Sequence, residues 1–149
     1  MTVTIVIDSC VFNKLYLDEQ DRDDAIEFLE EARRRGVRLI APSLFTCEVL
    51  AVAAASTFGA TAAWALVQHA IRSGFEIFEL DSPIVETAIT IAGNGNRKSG
   101  FPSFYDAIYH ALAITTGGVF LTADARHVAK TASLGSVVLL SNWKTCFAA

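Results

Sequence analysis

Short apolar runs alternate with longer amphipathic stretches from one end of the chain to the other. Residues 2–7 (TVTIVI), 37–41 (VRLIA), 75–80 (FEIFEL), 119–122 (VFLT) and 136–140 (SVVLL) are strongly apolar, and each predicts a short strand. Residues 21–36 predict an amphipathic helix, with acids at its start, Arg33, Arg34 and Arg35 at its end and Gly36 as the stop. That charge order suits the helix dipole. Pro42 and Ser43 open a helix over about 43–57, and another follows over about 60–73, with Gly59 as the break. Ser82 and Pro83 start a helix that runs to Ala92, and residues 93–102 (GNGNRKSGFP) read as a loop. The next helix opens at Ser103 and ends at Gly117 and Gly118, and residues 125–131 predict a short one. This alternation predicts an α/β fold: a single-domain, three-layer α/β/α sandwich around a central parallel sheet of about five strands. No repeat, low-complexity segment or linker divides residues 1–149, so they read as one domain.

Composition narrows the picture. With 52% hydrophobic and 19% charged residues, the chain is too apolar to be disordered, and apolar enough to suggest an oligomer or a partner surface. A net charge of −4 argues against a general nucleic-acid coat. It leaves room for nucleic acid bound through a metal in an acidic pocket, or through local basic patches. Cys10, Cys47 and Cys146 are scattered, with no zinc or disulfide spacing, as expected of a reducing cytoplasm. The N-terminal residues form a strand pattern rather than a secretion signal. Residues 49–71 carry no Asp, Glu, Lys or Arg, but Ala dominates them, which favours packed helices over a membrane span. With Phe58 and Trp64 this segment is expected to lie in a homodimer interface or under a partner helix.

One residue resists a structural explanation. In SFYDAIYHALA (103–113), Phe104, Ala107, Ile108, Ala111 and Leu112, with Ile114 just beyond, recur at helical spacing and are expected to face the core. Asp106 lies among them, in the first turn after Ser103, a good N-cap. A lone buried carboxylate costs several kcal/mol. In parallel α/β sheets the ligand site lies beyond the carboxyl ends of the strands, where strand order reverses. Asp8 follows the first strand, Glu48 stands soon after the second, and Asp124 follows the fourth. Clustered carboxylates repel unless a cation is present, and hard oxygen ligands suit Mg²⁺ or Mn²⁺. The four acids therefore read as metal ligands. Asp8 as a turn cap and Asp124 as a helix cap remain alternatives at those positions.

The segments IVIDSCVF, APSLFTCEVLA, FPSFYDAIYHALA and VFLTADARHV together resemble the PIN domain, most closely the VapC-type toxins of bacterial toxin–antitoxin pairs. The resemblance covers essentially the whole chain. It implies that Asp8, Glu48, Asp106 and Asp124 hold one or two Mg²⁺ or Mn²⁺ ions and that the activity is endonucleolytic cleavage of RNA. It further implies a homodimer and a cognate antitoxin with an Arg-bearing tail. Thr122 matches the family's Thr before the last acid. Cys10 stands where the family usually has Ser, Thr or Asn, so outer-shell support of the metal differs here. Ser9 is expected to point the other way.

Other polar residues weigh less. His110 lies one turn after Asp106 and reads as an ordinary hydrogen-bonded histidine, and His69 as packing or interface. Arg126 and His127 are candidates for substrate phosphate or plain exposed helix positions. The GNGNRKSG segment lacks the context of a phosphate loop, so Arg97 and Lys98 are expected to form a mobile basic arm or to serve solubility only. A haloacid-dehalogenase-type phosphohydrolase would need a second Asp at Cys10, and a receiver domain would need an acidic pair and a late Lys. A PIN-like RNA- or protein-binding module without catalysis is the remaining alternative.

Overall fold

The computed structural model describes residues 2–148. Five parallel strands form its sheet: β1 (Thr4–Ile7), β2 (Arg38–Pro42), β3 (Glu76–Phe78), β4 (Val119–Thr122) and β5 (Val137–Leu139). Their order is β3-β2-β1-β4-β5, so the chain steps outward from β1 to β3, crosses back and continues through β4 to β5. Registers such as Ile5 beside Leu39 and Val119 align the carboxyl ends of β1, β2 and β4. Ile5, Val6, Ile40, Phe120 and Leu121 are fully buried, as a sheet covered on both faces requires.

Among the described residues seven α-helices connect the strands: α1 (Ser9–Asn13), α2 (Arg22–Arg35), α3 (Leu44–Ala54), α4 (Ala60–Arg72), α5 (Ser82–Ala92), α6 (Phe104–Thr116) and α7 (Ala125–Thr131). Right-handed crossovers place α2, α3 and α4 on one face of the sheet and α5, α6 and α7 on the other. The helix α6 lies against β1, β2 and β4, the middle of the sheet. Residues 107–113 of α6 are all buried. Gly117 ends the helix in the left-handed region (φ 71°). At the next residue a side chain is sterically barred, because a Cβ on Gly118 would stand 2.6 Å from the Thr4 carbonyl oxygen.

The predicted elements recur with shifted ends. Phe75, Glu79 and Leu80 lie outside β3, and the Asp81 carboxylate beyond them caps α5 by accepting from the Ile84 N–H at 2.9 Å. Two elements were not expected. The short α1 follows β1 immediately, with Asp8 as its N-cap. Residues 140–147 wind as 3₁₀ turns that pack on α2 through Trp143 and Phe147, both against Phe28. Two expected core positions are on the surface: Phe104 is 45% and Ile114 is 37% exposed. They bracket the turns of α6 that the sheet covers, so helical periodicity alone assigned them to the core. The Ser103 hydroxyl, expected as a cap, makes no capping bond. Among the described residues no helix is long and apolar enough to cross a membrane.

Candidate metal centre

The reversal of strand order places a crevice between the carboxyl ends of β1 and β4. Asp8 is the first residue beyond β1 and is 5% exposed; its N–H donates to the Leu121 carbonyl at 3.0 Å, fixing it beside β4. Thr122, the last residue of β4, is fully buried and donates its hydroxyl proton to Asp8 Oδ2 at 2.7 Å. The same hydroxyl oxygen accepts from the Asp124 N–H at 3.0 Å. One threonine thus sets the positions of two acids. Asp124 caps α7, accepting from the N–H groups of Arg126 (2.9 Å) and His127 (3.3 Å). The capping alternative is therefore real at both Asp8 and Asp124, and it coexists with their place in the crevice.

Glu48 arrives from α3 and Asp106 from α6. The Tyr109 hydroxyl, one turn beyond Asp106, donates to Glu48 Oε1 at 2.6 Å and ties the two helices together at the site. Ser9 Oγ lies 3.4 Å from Asp8 Oδ1 and 3.5 Å from Glu48 Oε1. Ser9 therefore points into the site, contrary to expectation, because the chain turns helical at that residue and strand alternation no longer applies. Cys10 is also at the site. Its N–H approaches Asp8 Oδ1 at 3.5 Å and its Sγ lies 3.9 Å from Thr122 Oγ1. Burial and the neighbouring Asp8 push its thiol far up, so it stays protonated and weakly polar.

The electrostatics show what the geometry costs. Burial, then the charges of Asp8 and Asp124, a hydrogen bond to Asp124 and the charge of Glu48 push the Asp106 carboxyl up to about 7. Asp8 is raised by burial against the bonds it accepts from Thr122, Cys10 and Ser9. Glu48 is raised by burial and by Asp8. Lys14 lines the adjoining cavity with Cys10 and Asp124 but is already bound by Glu19 (2.9 Å) and Asp21 (2.7 Å). Four carboxylates with hydroxyl and amide neighbours, and no lysine or arginine paired to them among the described residues, match the preferences of a hard divalent cation. Among the described residues, no three His, Cys, Asp or Glu side chains already stand as a closed cage. Hydroxyls engage both Asp8 oxygens, and capping engages Asp124 Oδ1. The donors fit such an ion by chemistry, but holding one would require them to rearrange.

A PIN domain family model matches residues 5–133. The chain belongs to the PIN domain family. Solved PIN-type folds align over nearly all of it. FitAcB from Neisseria gonorrhoeae matches with a TM-score of 0.69 at 15% identity, covering 93% of this chain and 99% of the other. VapC20 of Mycobacterium tuberculosis, described as a sarcin-ricin loop cleaving toxin, matches at 0.66 and 15% identity, covering 84% and 93%. VapBC2 from Rickettsia felis, bound to a DNA fragment from its promoter, matches at 0.65 and 12% identity, covering 92% and 97%. No curated protein sequence matches the chain.

Within this PIN domain the four expected acids do converge, and Thr122 joins them. Arg126 touches the cluster only through its backbone N–H; its side chain is exposed. His127, expected on the surface, is 2% exposed. It contacts His110, Nε2 to Nδ1, at 3.1 Å. His110 is the ordinary hydrogen-bonded residue expected, with His127 as one of its partners. His69 is exposed. The residues that pattern reading missed are Ser9 and Tyr109. The signal for Tyr109 was present: a hydroxyl-bearing ring three positions after Asp106 lies on a neighbouring part of the same helix surface.

Proposed function

We propose that this PIN domain is a Mg²⁺- or Mn²⁺-dependent endoribonuclease, the toxin of a type II toxin–antitoxin pair, acting in the cytoplasm. The observation that carries the reading is the placement of Asp106 among three other acids at the switch point of the sheet, where burial and their charges push its carboxyl up to about 7. The descriptions of structural neighbours point the same way: one is a loop-cleaving toxin and another a toxin–antitoxin complex from Klebsiella pneumoniae.

In this reading Asp8 and Asp106 are the central ligands of one or two ions, with Glu48 and Asp124 completing the set directly or through water. A bound divalent ion would polarise the phosphoryl oxygen and lower the pKa of a water nucleophile. The chain's own residues do the rest. Thr122 holds Asp8 and the Asp124 backbone in register. Tyr109 and Ser9 orient Glu48. Cys10, in place of a hydroxyl or amide residue, leaves Thr122 as the stronger donor to Asp8. The exposed Val52, Phe58, Trp64 and Ile71 on and between α3 and α4 form the proposed surface for a second copy or an antitoxin helix.

The test is cleavage of total RNA by the purified protein in Mn²⁺ and in chelator. Cleavage is expected in Mn²⁺ alone and is expected to fall by orders of magnitude in Asp106→Asn. Equal cleavage by both proteins overturns the ligand assignment. Specific RNA binding without any cleavage in Mn²⁺ favours the non-catalytic module, for which the substitution at Cys10 is the supporting observation.

A further inference from the structure

Lys14 is a charged group that the proposed chemistry leaves unused. It ends α1, and its side chain is only 5% exposed. Its ammonium is held by Glu19 at 2.9 Å and by Asp21 at 2.7 Å, both from the segment between α1 and α2. Burial alone would lower its pKa, but the bonds to Asp21 and Glu19 raise it, so Lys14 keeps its charge. Arg22, at the start of α2, donates to the Leu15 carbonyl at 3.2 Å, so both ends of the segment are tied down.

A cavity of about 510 Å³ joins this segment to the acid cluster. Cys10, Ala123 and Asp124 line it together with Lys14, Glu19 and Asp21. Cys10 touches Asp8 and Thr122, and the Asp124 N–H donates to Thr122, so the cavity opens directly beside the acids. Lys14 is the one lysine or arginine lining it among the described residues. An ammonium has three N–H donors, and Glu19 and Asp21 engage two of them. No further partner for Lys14 Nζ stands among the described residues, which leaves one donor for whatever enters the cavity. A lysine serving only to pin the segment could do so from the surface, where its charge costs less to hold.

We infer that Lys14 binds a backbone phosphate of the RNA, the one that flanks the cleaved phosphate on the side of Cys10 and Asp124. Glu19 and Asp21 are positioning residues that hold the ammonium at the cavity. The inference rests on the nuclease reading and adds a binding residue to it. RNA carries a charge at every linkage, and a metal among the four acids offsets only the phosphate against it. The flanking phosphates still face the acids within a Debye length, about 8 Å at physiological salt. Lys14 meets that repulsion where the cavity leaves the cluster. Glu19 and Asp21 do not cancel it at contact. Both are partly exposed and screened by water, whereas the ammonium is buried and its free donor bonds the phosphate directly.

Binding of a short fluorescent single-stranded RNA is measured in chelator, where no strand is cut, across a range of salt. Lys14→Met keeps the apolar stem and removes the charge. Glu19 and Asp21 can then turn to water, so the fold is expected to survive. The variant is expected to bind roughly tenfold more weakly, the loss of one charge-assisted hydrogen bond. The slope of log affinity against log salt is expected to shrink by about 0.7, the loss of one phosphate contact. Arg33→Met removes a like charge from an exposed position at the far end of α2 and is expected to change neither. Glu19→Gln leaves Lys14 paired with Asp21 and is expected to tighten binding, because the ammonium is less offset. In Mn²⁺, Lys14→Met is expected to raise KM for RNA with kcat little changed, since the contact is made equally before and in the transition state. A wild-type salt slope in Lys14→Met, or weaker binding by Glu19→Gln, overturns the assignment and leaves Lys14 as the pin of its segment. If Lys14→Met shows no cooperative melt, the sign of the Glu19→Gln effect decides. A wild type that binds RNA with the expected slopes but cuts none in Mn²⁺ overturns the nuclease reading and keeps Lys14 as a phosphate contact.

Discussion

At the scale of single residues, the site stores repulsion. The carboxyl of Asp106 titrates near 7 in the folded chain against 3.8 for a free side chain. Between those values the folded state holds a proton that the unfolded state has released. Stability is therefore lost as pH rises through about 4 to 7. Asn at position 106 keeps the shape without the charge. In chelator, Asp106→Asn is expected to melt at or above wild type at pH 8, and the advantage is expected to fade toward pH 5. Mn²⁺ is expected to raise the melting temperature of wild type and to do so much less for the variant, since a ligand that binds only the folded state stabilises it. A variant destabilised by about 3–5 kcal/mol in chelator at every pH would instead mark Asp106 as half of a structural ion pair.

At the scale of elements, the cluster depends on how α6 and α7 are joined. His110 Nε2 faces the Gly135 carbonyl at 2.7 Å, which can only accept, so that nitrogen carries the hydrogen. His110 Nδ1 must then accept, and His127 Nε2 donates to it. His127 Nδ1 is left buried with no hydrogen-bond partner among the described residues. Both rings are held neutral: burial lowers His110, and burial with the neighbouring His110 pushes His127 down to about 4. The unfolded histidines take up protons near 6.5, so the stability they allow is present above that value and is lost as pH falls toward 4. This trend opposes that of Asp106, and variants are needed to separate the two. His110→Phe leaves the His127 donor and the Gly135 carbonyl unpaired, which is expected to cost about 1–3 kcal/mol at pH 7. In urea titrations its penalty is expected to shrink below pH 6. A pH-independent penalty would mean that the pair is not held neutral.

At the scale of the whole molecule, apolar surface remains to be covered. Val52, Phe58, Trp64 and Ile71 are about 40% exposed on α3, on α4 and in the connection between them. Phe58 is steadied by stacking on Tyr16 at 4.8 Å, so the patch is ordered rather than collapsed. Sedimentation at micromolar concentration is expected to show a dimer, and Trp64→Glu is expected to dissociate it while leaving the Mn²⁺-induced rise in melting temperature intact. A wild-type monomer at that concentration would leave the surface to an antitoxin alone.

Much of this was legible in the chain. Strand–helix alternation is written in hydrophobic periodicity, and burial on both faces of a parallel sheet is what makes the strands uniformly apolar. Asp106 was legible because a carboxylate inside an apolar helix has few structural uses. The order and spacing of all four acids were legible for the same reason that the sheet was: each follows a strand or opens a helix at the carboxyl edge. What periodicity could not supply was any contact between residues distant in sequence. Ser9 turned inward because a short helix that the pattern did not show begins there. Phe104 and Ile114 stayed in solvent because the sheet covers only the middle of α6. Asp8, Thr122 and Asp124 became one hydrogen-bonded unit because β1 and β4 are neighbours, an adjacency decided by the crossover after β3. His110 met His127 through the docking of α7, although the two are 17 positions apart in sequence. Local pattern determines which elements form and which faces are apolar; only packing decides which polar side chains meet, because those meetings depend on the relative placement of whole elements.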